Sequence, residues 1–230
     1  KAVPTGIAHG TVTVIIGAQP FEITTLRRDV STDGRRATVA FTTDWSEDAR
    51  RRDFTMNALY CDRDGVIHDP LGGLPDLAAG RVRFIDDAQA RIREDYLRIL
   101  RFFRFHAEYA TGPLDRDGLT AAIELRDGLV QLSGERIRQE LLRLLIAPNA
   151  GPVVREMCAA GLTSTLLGLA PRPGTLAHMI AIEVAVGASP SPILRLGALL
   201  AVVDEAAEAL SIRLRLSRAE QAAVSRFAAI

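Results

Sequence analysis

Hydrophobic and polar residues change their spacing near residue 85. Before that point the pattern is that of strands: Thr11-Val12-Thr13-Val14-Ile15-Ile16 is a β-branched run closed by Gly17, with a short turn through Pro20. Residues 21–26 then alternate apolar and polar, as a half-buried strand does. Residues 27–36 read as a polar loop with a turn at Asp33-Gly34, and 38–41 as a third strand. Ser46, followed by Glu47 and Asp48, predicts a helix start, and that helix would run through Arg52, Phe54 and Leu59. Two short apolar segments about Asp62-Arg63-Asp64-Gly65 predict a small hairpin.

From residue 86 onward helical periodicity takes over. Helices are expected over 94–109, 116–126, 134–146, 149–160, 175–186, 192–209 and 217–229. Gly112-Pro113, Pro148, Gly161, Pro171-Arg172-Pro173 and Pro190-Ser191-Pro192 separate them. The fold class is therefore α+β: a mixed strand-and-helix portion up to about residue 85, followed by an all-helical portion.

A chain of 230 residues, 48% apolar and 24% charged, has globular proportions. Twenty-eight basic residues balance 28 acidic ones, so any nucleic-acid surface must arise from local charge arrangement. Twenty-seven of the basic residues are arginine, which codon bias explains as simply as selection for guanidinium forks does. No apolar run approaches the roughly 20 residues of a membrane span. Cys61 and Cys158 lie far apart without metal-ligand spacing, which predicts reduced thiols and a cytoplasmic location. The start, Lys1-Ala2-Val3-Pro4, lacks an initiator Met and a signal region, which predicts a piece beginning inside a longer reading frame.

Two clusters have chemistry to offer. On the helix predicted from Ser46, Asp53 and Asn57 are one turn apart, with Arg52 beside them. An acceptor, an amide and a guanidinium on one face suit a ribose hydroxyl next to a polyphosphate; a solvated basic helix end fits the same residues. On the helix over 94–109, Asp95, Arg98, Arg101 and Arg104 recur every third residue, a winding polar ridge opposite Tyr96, Ile99, Leu100 and Phe103. Glu94 stands one turn from Arg98 and would hold its guanidinium. A carboxylate accepts from an exocyclic amine while an arginine donates to ring nitrogen or carbonyl acceptors. Cytosine and adenine carry that amine on the Watson–Crick edge where uracil and guanine present a carbonyl, so Asp95 and Arg98 suit selection of C and A. An amphipathic helix laced with surface ion pairs satisfies the same spacing.

Other motifs are weaker. Asp62-Arg63-Asp64 has the form of a divalent-metal site, but Gly65 and the flanking apolar pairs mark a hairpin turn. His9, His68, His106 and His178 show no ligand spacing. A Walker loop, a serine-nucleophile elbow and a dinucleotide fingerprint are all absent.

The chain resembles the bacterial-type (class II) tRNA nucleotidyltransferases and poly(A) polymerases. The resemblance lies in Pro4-Thr5-Gly6-Ile7-Ala8-His9-Gly10-Thr11-Val12-Thr13-Val14, Phe21-Glu22-Ile23-Thr24-Thr25-Leu26-Arg27 and Arg51-Arg52-Asp53-Phe54-Thr55-Met56-Asn57-Ala58-Leu59. It continues in Asp69-Pro70-Leu71-Gly72-Gly73-Leu74-Pro75-Asp76-Leu77, Glu94-Asp95-Tyr96-Leu97-Arg98-Ile99-Leu100-Arg101 and Ser133-Gly134-Glu135-Arg136-Ile137, in the family's order.

The resemblance implies a nucleotidyltransferase head (1–85), a helical neck with a base-selecting helix (86–146) and an RNA-binding helical body (147–230). It implies template-independent addition of C and A to the tRNA 3′ end from CTP and ATP with Mg²⁺. A poly(A) polymerase, or a non-catalytic RNA- and nucleotide-binding protein, remain alternatives. Arg52 and Asp53 would contact the nucleotide's phosphate and sugar; Asp95 and Arg98 would read the base with Glu94 orienting Arg98; Arg101 and Arg104 would extend the site. Residues 27–48 resemble the family's flexible element. The family's paired metal-binding aspartates lie in a segment this sequence does not contain, so Glu22 would be a lone third carboxylate, no complete metal set is present, and the isolated chain is expected to be inactive.

Overall fold

The computed structural model describes residues 1–6, 10–33, 36–200 and 203–228. It divides into two compact units: residues 1–78 with 83–86, and residues 79–82 with 87–230. The architecture is α+β. The expected turn at Gly34 falls partly outside the described residues, as do Ile7, Ala8 and His9 of the first matching stretch.

In the first unit, β1 (Ala2–Gly6), β2 (Thr11–Ile16) and β3 (Gln19–Thr24) form an antiparallel meander. Ile16 pairs with Gln19, so the turn is tightened to Gly17-Ala18, both at positive φ, the geometry that matches strand twist in a two-residue hairpin. Pro20 therefore lies inside β3, where an edge strand tolerates its missing N–H. The reading of 27–36 as a loop is corrected: Arg27–Asp33 is a strand, β4, paired antiparallel with β5 (Arg36–Phe41). Its charged residues hid a strand that the ladder with β5 holds. A two-residue pair, β6 (Tyr60–Cys61) and β7 (Ile67–His68), forms the expected hairpin.

The helix expected from residue 46 to 59 is shorter. Helix α1 spans Trp45–Arg50, capped by the Asp44 side chain, which accepts from the Ser46 amide at 2.7 Å. Beyond it the chain turns extended at Phe54, because residues 53–55 pair with the returning segment 83–85: the Thr55 amide donates to the Arg83 carbonyl and the Ile85 amide to that of Asp53, both at 3.0 Å. Phe54 and Phe84 meet with ring centroids 5.0 Å apart. Ala49, Ala58 and Ile85 form a buried cluster with Tyr60 and Leu71 against it. A single 3-10 turn at Thr55–Asn57 and the short α2 (Leu74–Ala78) complete the unit, with buried Asp76 accepting from the Thr55 hydroxyl at 2.6 Å and from Arg83.

The second unit is helical. It holds α3 (Ala88–Glu94), α4 (Leu97–Tyr109), α5 (Arg116–Glu124), a 3-10 stretch (Arg126–Gln131), α6 (Gly134–Ile146), α7 (Ala150–Ala159), α8 (Leu162–Leu167) and α9 (Pro173–Ala185). It ends with α10 (Pro192–Leu200), α11 (Asp204–Leu214) and α12 (Arg218–Ala228). Two expectations are corrected here. The helix over 94–109 is two helices: Asp95 is extended (φ −158°, ψ 107°) and its side chain accepts from the Leu97 amide at 3.1 Å, taking over the N-terminus of α4. The helix over 192–209 is likewise α10 and α11, with residues 201–202 outside the described set.

The core packs Ile99, Leu100, Phe102 and Phe103 of α4 with Ile137, Leu141, Leu144 and Leu145 of α6, apolar positions at helical spacing on each. Buried ion pairs cross it. Glu183 on α9 accepts from Arg195 Nε of α10 at 2.6 Å and from the Ser191 amide at 2.9 Å, while Arg195 Nη1 reaches the Leu145 carbonyl at 2.7 Å. Both side chains are almost fully buried. Truncating one partner strands the other charge, so Glu183→Ala is expected to lower unfolding free energy by about 3–5 kcal/mol in a denaturant titration.

His106 on α4 is buried, and burial holds its pKa below the usual histidine value, partly offset by a bond to the Gly112 backbone. A depressed histidine contributes stability that is complete above its unfolded pKa of about 6.5 and is lost as pH falls toward the folded value. Urea unfolding is accordingly expected to show stability falling as pH drops below about 6.5, with a smaller slope in His106→Gln.

Candidate functional site

Asp48, at the buried end of α1, organises the first cluster. Its carboxylate accepts from the Arg27 amide (3.0 Å), Arg51 Nε (2.9 Å), Arg52 Nη2 (3.1 Å) and the Tyr60 hydroxyl (2.8 Å). Burial alone would raise its pKa, but these donors together hold it below the ordinary carboxylate range. Burial and the Asp48 carboxylate push the Tyr60 phenol up to about 12. Arg52 lies over the Tyr60 ring, 4.9 Å from its centroid, and its Nη1 donates to the Asn57 carbonyl at 3.0 Å. Trp45 stacks on Tyr60 and meets His68 edge-on. The guanidinium of Arg52 is thus fixed in direction yet about one-third exposed, 35% by side chain.

Asp53 and Asn57 do meet, although no helix joins them. Asn57 Nδ2 donates to Asp53 Oδ1 at 2.7 Å, and Asn57 Oδ1 accepts from the Phe54 amide at 3.3 Å. The 3-10 turn brings the two side chains together as one helical turn would have done. Asp53 itself is nearly buried.

The second cluster forms where α3 gives way to α4. Arg91 Nη1 donates to both oxygens of Glu94 at 2.8 Å. Arg98 Nη1 donates to Glu94 Oε2 at 2.5 Å and to the Arg91 carbonyl at 2.8 Å. Glu94 therefore holds Arg98, as the spacing suggested. Asp95 is bound differently from the expectation: Arg136 on α6 donates to its Oδ2 at 2.6 Å. The side chains of Asp95 and Arg98 are 27% and 14% exposed, so neither is sealed in the interior.

The polar ridge breaks down further along. Arg104 is buried; its Nε donates to Glu140 at 2.6 Å and its Nη1 to Glu108 at 2.8 Å, with Phe105 beneath it at 4.4 Å. Arg101 leans toward the same Glu140, at 3.6 Å, and over Phe105. Helix α4 starts at Leu97, three residues later than the sequence pattern implied, which takes Asp95 off the row, and the last arginine turns inward to the buried Glu140.

Glu22 sits exposed on β3 opposite Thr13. Among the described residues, no three His, Cys, Asp or Glu side chains converge as a metal ligand set. The residues present therefore do not fit a complete divalent-metal centre. Asp62, in the D-x-D form, spends its oxygens on its own hairpin: it accepts from the Asp64 and Val66 amides at 2.9 Å and contacts His68 Nε2 at 3.0 Å.

Sequence reasoning missed Asp48, Arg91 and Arg136 as organisers of these clusters. Asp48 read only as an acid in a first helical turn, although its burial makes it the hub. Arg136 stood within one of the family-like stretches, and Arg91 one helical turn before Glu94, but no spacing rule links residue 136 to residue 95.

Comparison with known proteins bears on both units. The family described as "Poly A polymerase head domain" matches residues 1–83, and "Probable RNA and SrmB- binding site of polymerase A" matches 114–174. The chain is 41% identical over 219 residues to the mouse protein named CCA tRNA nucleotidyltransferase 1, mitochondrial, a match covering 94% of this chain and 50% of the relative. It is 37% identical over 178 residues to the CCA-adding enzyme of Lactobacillus delbrueckii subsp. bulgaricus, covering 76% of this chain and 45% of the relative. The structure of the Bacillus stearothermophilus CCA-adding enzyme in complex with CTP superposes with a TM-score of 0.67 at 30% identity, covering 100% of this chain and 52% of that one. The chain spans about half the length of the curated relatives it matches. With its ordered motifs, both family matches and its structural likeness, the chain belongs to the tRNA nucleotidyltransferase and poly(A) polymerase family.

Proposed function

We propose that this chain carries the nucleotide-selecting part of an enzyme that adds C and A to the 3′ end of tRNA from CTP and ATP. The observation that carries the reading is the α3–α4 junction, which presents a partly exposed carboxylate, Asp95, and, three residues on, a guanidinium, Arg98, that Glu94 and the Arg91 carbonyl hold still. Asp95 already accepts one bond on each oxygen, and a carboxylate has about four acceptor positions, so capacity remains for an exocyclic amine. In the other cluster, Arg52 is assigned to the nucleotide's phosphates, and Asp53 and Asn57 to its sugar. Arg101 and Arg104 are assigned to the Glu140 ion-pair group instead of the nucleotide.

The poly(A) polymerase reading is not favoured, since the curated relatives described above carry the CCA name. The structural relative that binds CTP supports a pyrimidine nucleotide as substrate. Residues 147–230 are assigned to RNA, in keeping with the RNA-binding family match that reaches residue 174. The transfer reaction would take Mg²⁺ as its metal; among the described residues no three ligand side chains converge to hold it. Cytoplasmic location is inferred from the two free cysteines, Cys61 and Cys158; none of the described helices is long and apolar enough to cross a membrane.

A tRNA lacking its terminal nucleotides, supplied to the complete protein with CTP alone, ATP alone or both, is expected to gain C-C, nothing, and C-C-A in turn; a run of A from ATP alone would overturn the reading. Asp95→Ala is expected to erode discrimination against UTP and GTP by about 10- to 100-fold, the equivalent of losing a charged hydrogen bond of roughly 1.5–3 kcal/mol. Unchanged selectivity in that variant excludes the role. Arg52→Ala is expected to raise KM for CTP and ATP alike, by about tenfold, without altering the choice between them.

A further inference from the structure

We propose that Tyr96 and Gly128 form a positioning pair that sets the direction of the Asp95 carboxylate. The inference rests on the base-reading role of Asp95 proposed above. Asp95 and Tyr96 are the two residues between α3 and α4; their carbonyls accept from the Arg98 and Ile99 amides at 3.0 and 3.2 Å, bonds that tie the backbone to α4 but leave the direction of the Asp95 side chain open. Something else must hold the carboxylate in its direction. The Asp95 side chain helps by accepting from the Leu97 amide, and Arg136 grips its other oxygen. Tyr96 supplies the remaining constraint.

The Tyr96 ring packs directly against Gly128. A Cβ placed on that glycine would fall on Cγ, Cδ1 and Cε1 of the ring, so any side chain at 128 expels the ring from its seat. Gly128 is buried within the 3-10 stretch Arg126–Gln131, and its amide donates to the Leu125 carbonyl at 3.1 Å. The stretch that carries the seat is braced by Arg213 of α11. That guanidinium donates to the carbonyls of Leu132 (3.1 Å), Leu129 (3.4 Å) and, through Nε, Leu166 (3.1 Å). A braced seat cannot follow a displaced ring, so the ring must move instead.

Carbon atoms pack at about 3.5–4.0 Å, so a methyl at 128 drives the ring away by about an ångström or more. The ring is joined to the backbone next to Asp95, and its movement turns the peptide that aims the carboxylate. A misplacement of about 1 Å in a reacting site costs up to roughly 100-fold. A pair that served packing alone would change stability and leave the choice of nucleotide untouched.

The test compares kcat/KM for CTP and UTP in the complete protein, on tRNA lacking its terminal nucleotides, with Asp95→Ala in parallel. Gly128→Ala is expected to lower the CTP-over-UTP ratio by about tenfold, and Tyr96→Leu to do the same by emptying the seat. Tyr96→Phe keeps the ring and is expected to keep the ratio. Combining Gly128→Ala with Tyr96→Leu is expected to be no worse than the poorer single variant, because both remove one contact. Should Gly128→Ala fail to fold, Tyr96→Leu and Tyr96→Phe decide between them. If Asp95→Ala lowers the ratio while Tyr96→Leu leaves it intact, the positioning role is overturned; if Tyr96→Phe also lowers it, the ring's seating is not the cause and the proposal fails. If Asp95→Ala leaves the ratio intact, the base-reading role itself falls, and this inference falls with it.

Discussion

The carboxylate of Asp95 does two things at once. One oxygen accepts from the Leu97 amide and so starts a new helix; the other receives Arg136 from α6. A helix that continued from Glu94 would have carried Asp95 around its own axis and away from Arg136. Breaking it leaves the carboxylate held at two points and still reachable by solvent. The charged bond from Arg136 is short and strong, so the break is a fixed joint with a defined direction. The arrangement of Glu94, Arg91 and Arg98 around it depends on that joint, because Arg98 is the second residue of α4 and takes its place from where α4 begins.

Buried acids that organise arginines recur throughout. Asp48 gathers Arg51, Arg52 and Tyr60; Glu140 gathers Arg104 and Arg101; Glu183 holds Arg195; Asp76 holds Arg83. In each, an ion that would be costly to bury alone is compensated by several donors. Arg195 and Arg213 go further and tie separate helices by reaching backbone carbonyls as well. A guanidinium has five donors in a planar fork, whereas an ammonium has three on a point charge. Whatever raised the arginine content of this chain, the fold uses forks that lysine would not reproduce.

Much of the fold was legible in the residues. The β-branched run at Thr11–Ile16, the apolar rows of α4 and α6, and the Gly–Pro breaks between later helices follow from side-chain periodicity and backbone restriction, which are local properties. The Glu94–Arg98 pair followed from helical spacing, even though the two residues end and begin different helices. What was misread has a common cause. Helix α1 stopped early because residues 53–55 pair with 83–85, and β4 formed because β5 returned beside it. Arg104 turned inward because Glu140 waits on α6.

The order and identity of the motifs fixed the family and the residue types able to handle a nucleotide, since those depend only on which functional groups the chain carries and how far apart they lie along it. Tertiary structure alone decided the partners of the charges that meet across the fold. Asp95 meets Arg136 across 41 positions, Arg104 meets Glu140 across 36, and Arg213 reaches Leu129 across 84. No periodic rule spans such separations; they are set when helices pack, and packing depends on the whole buried surface at once.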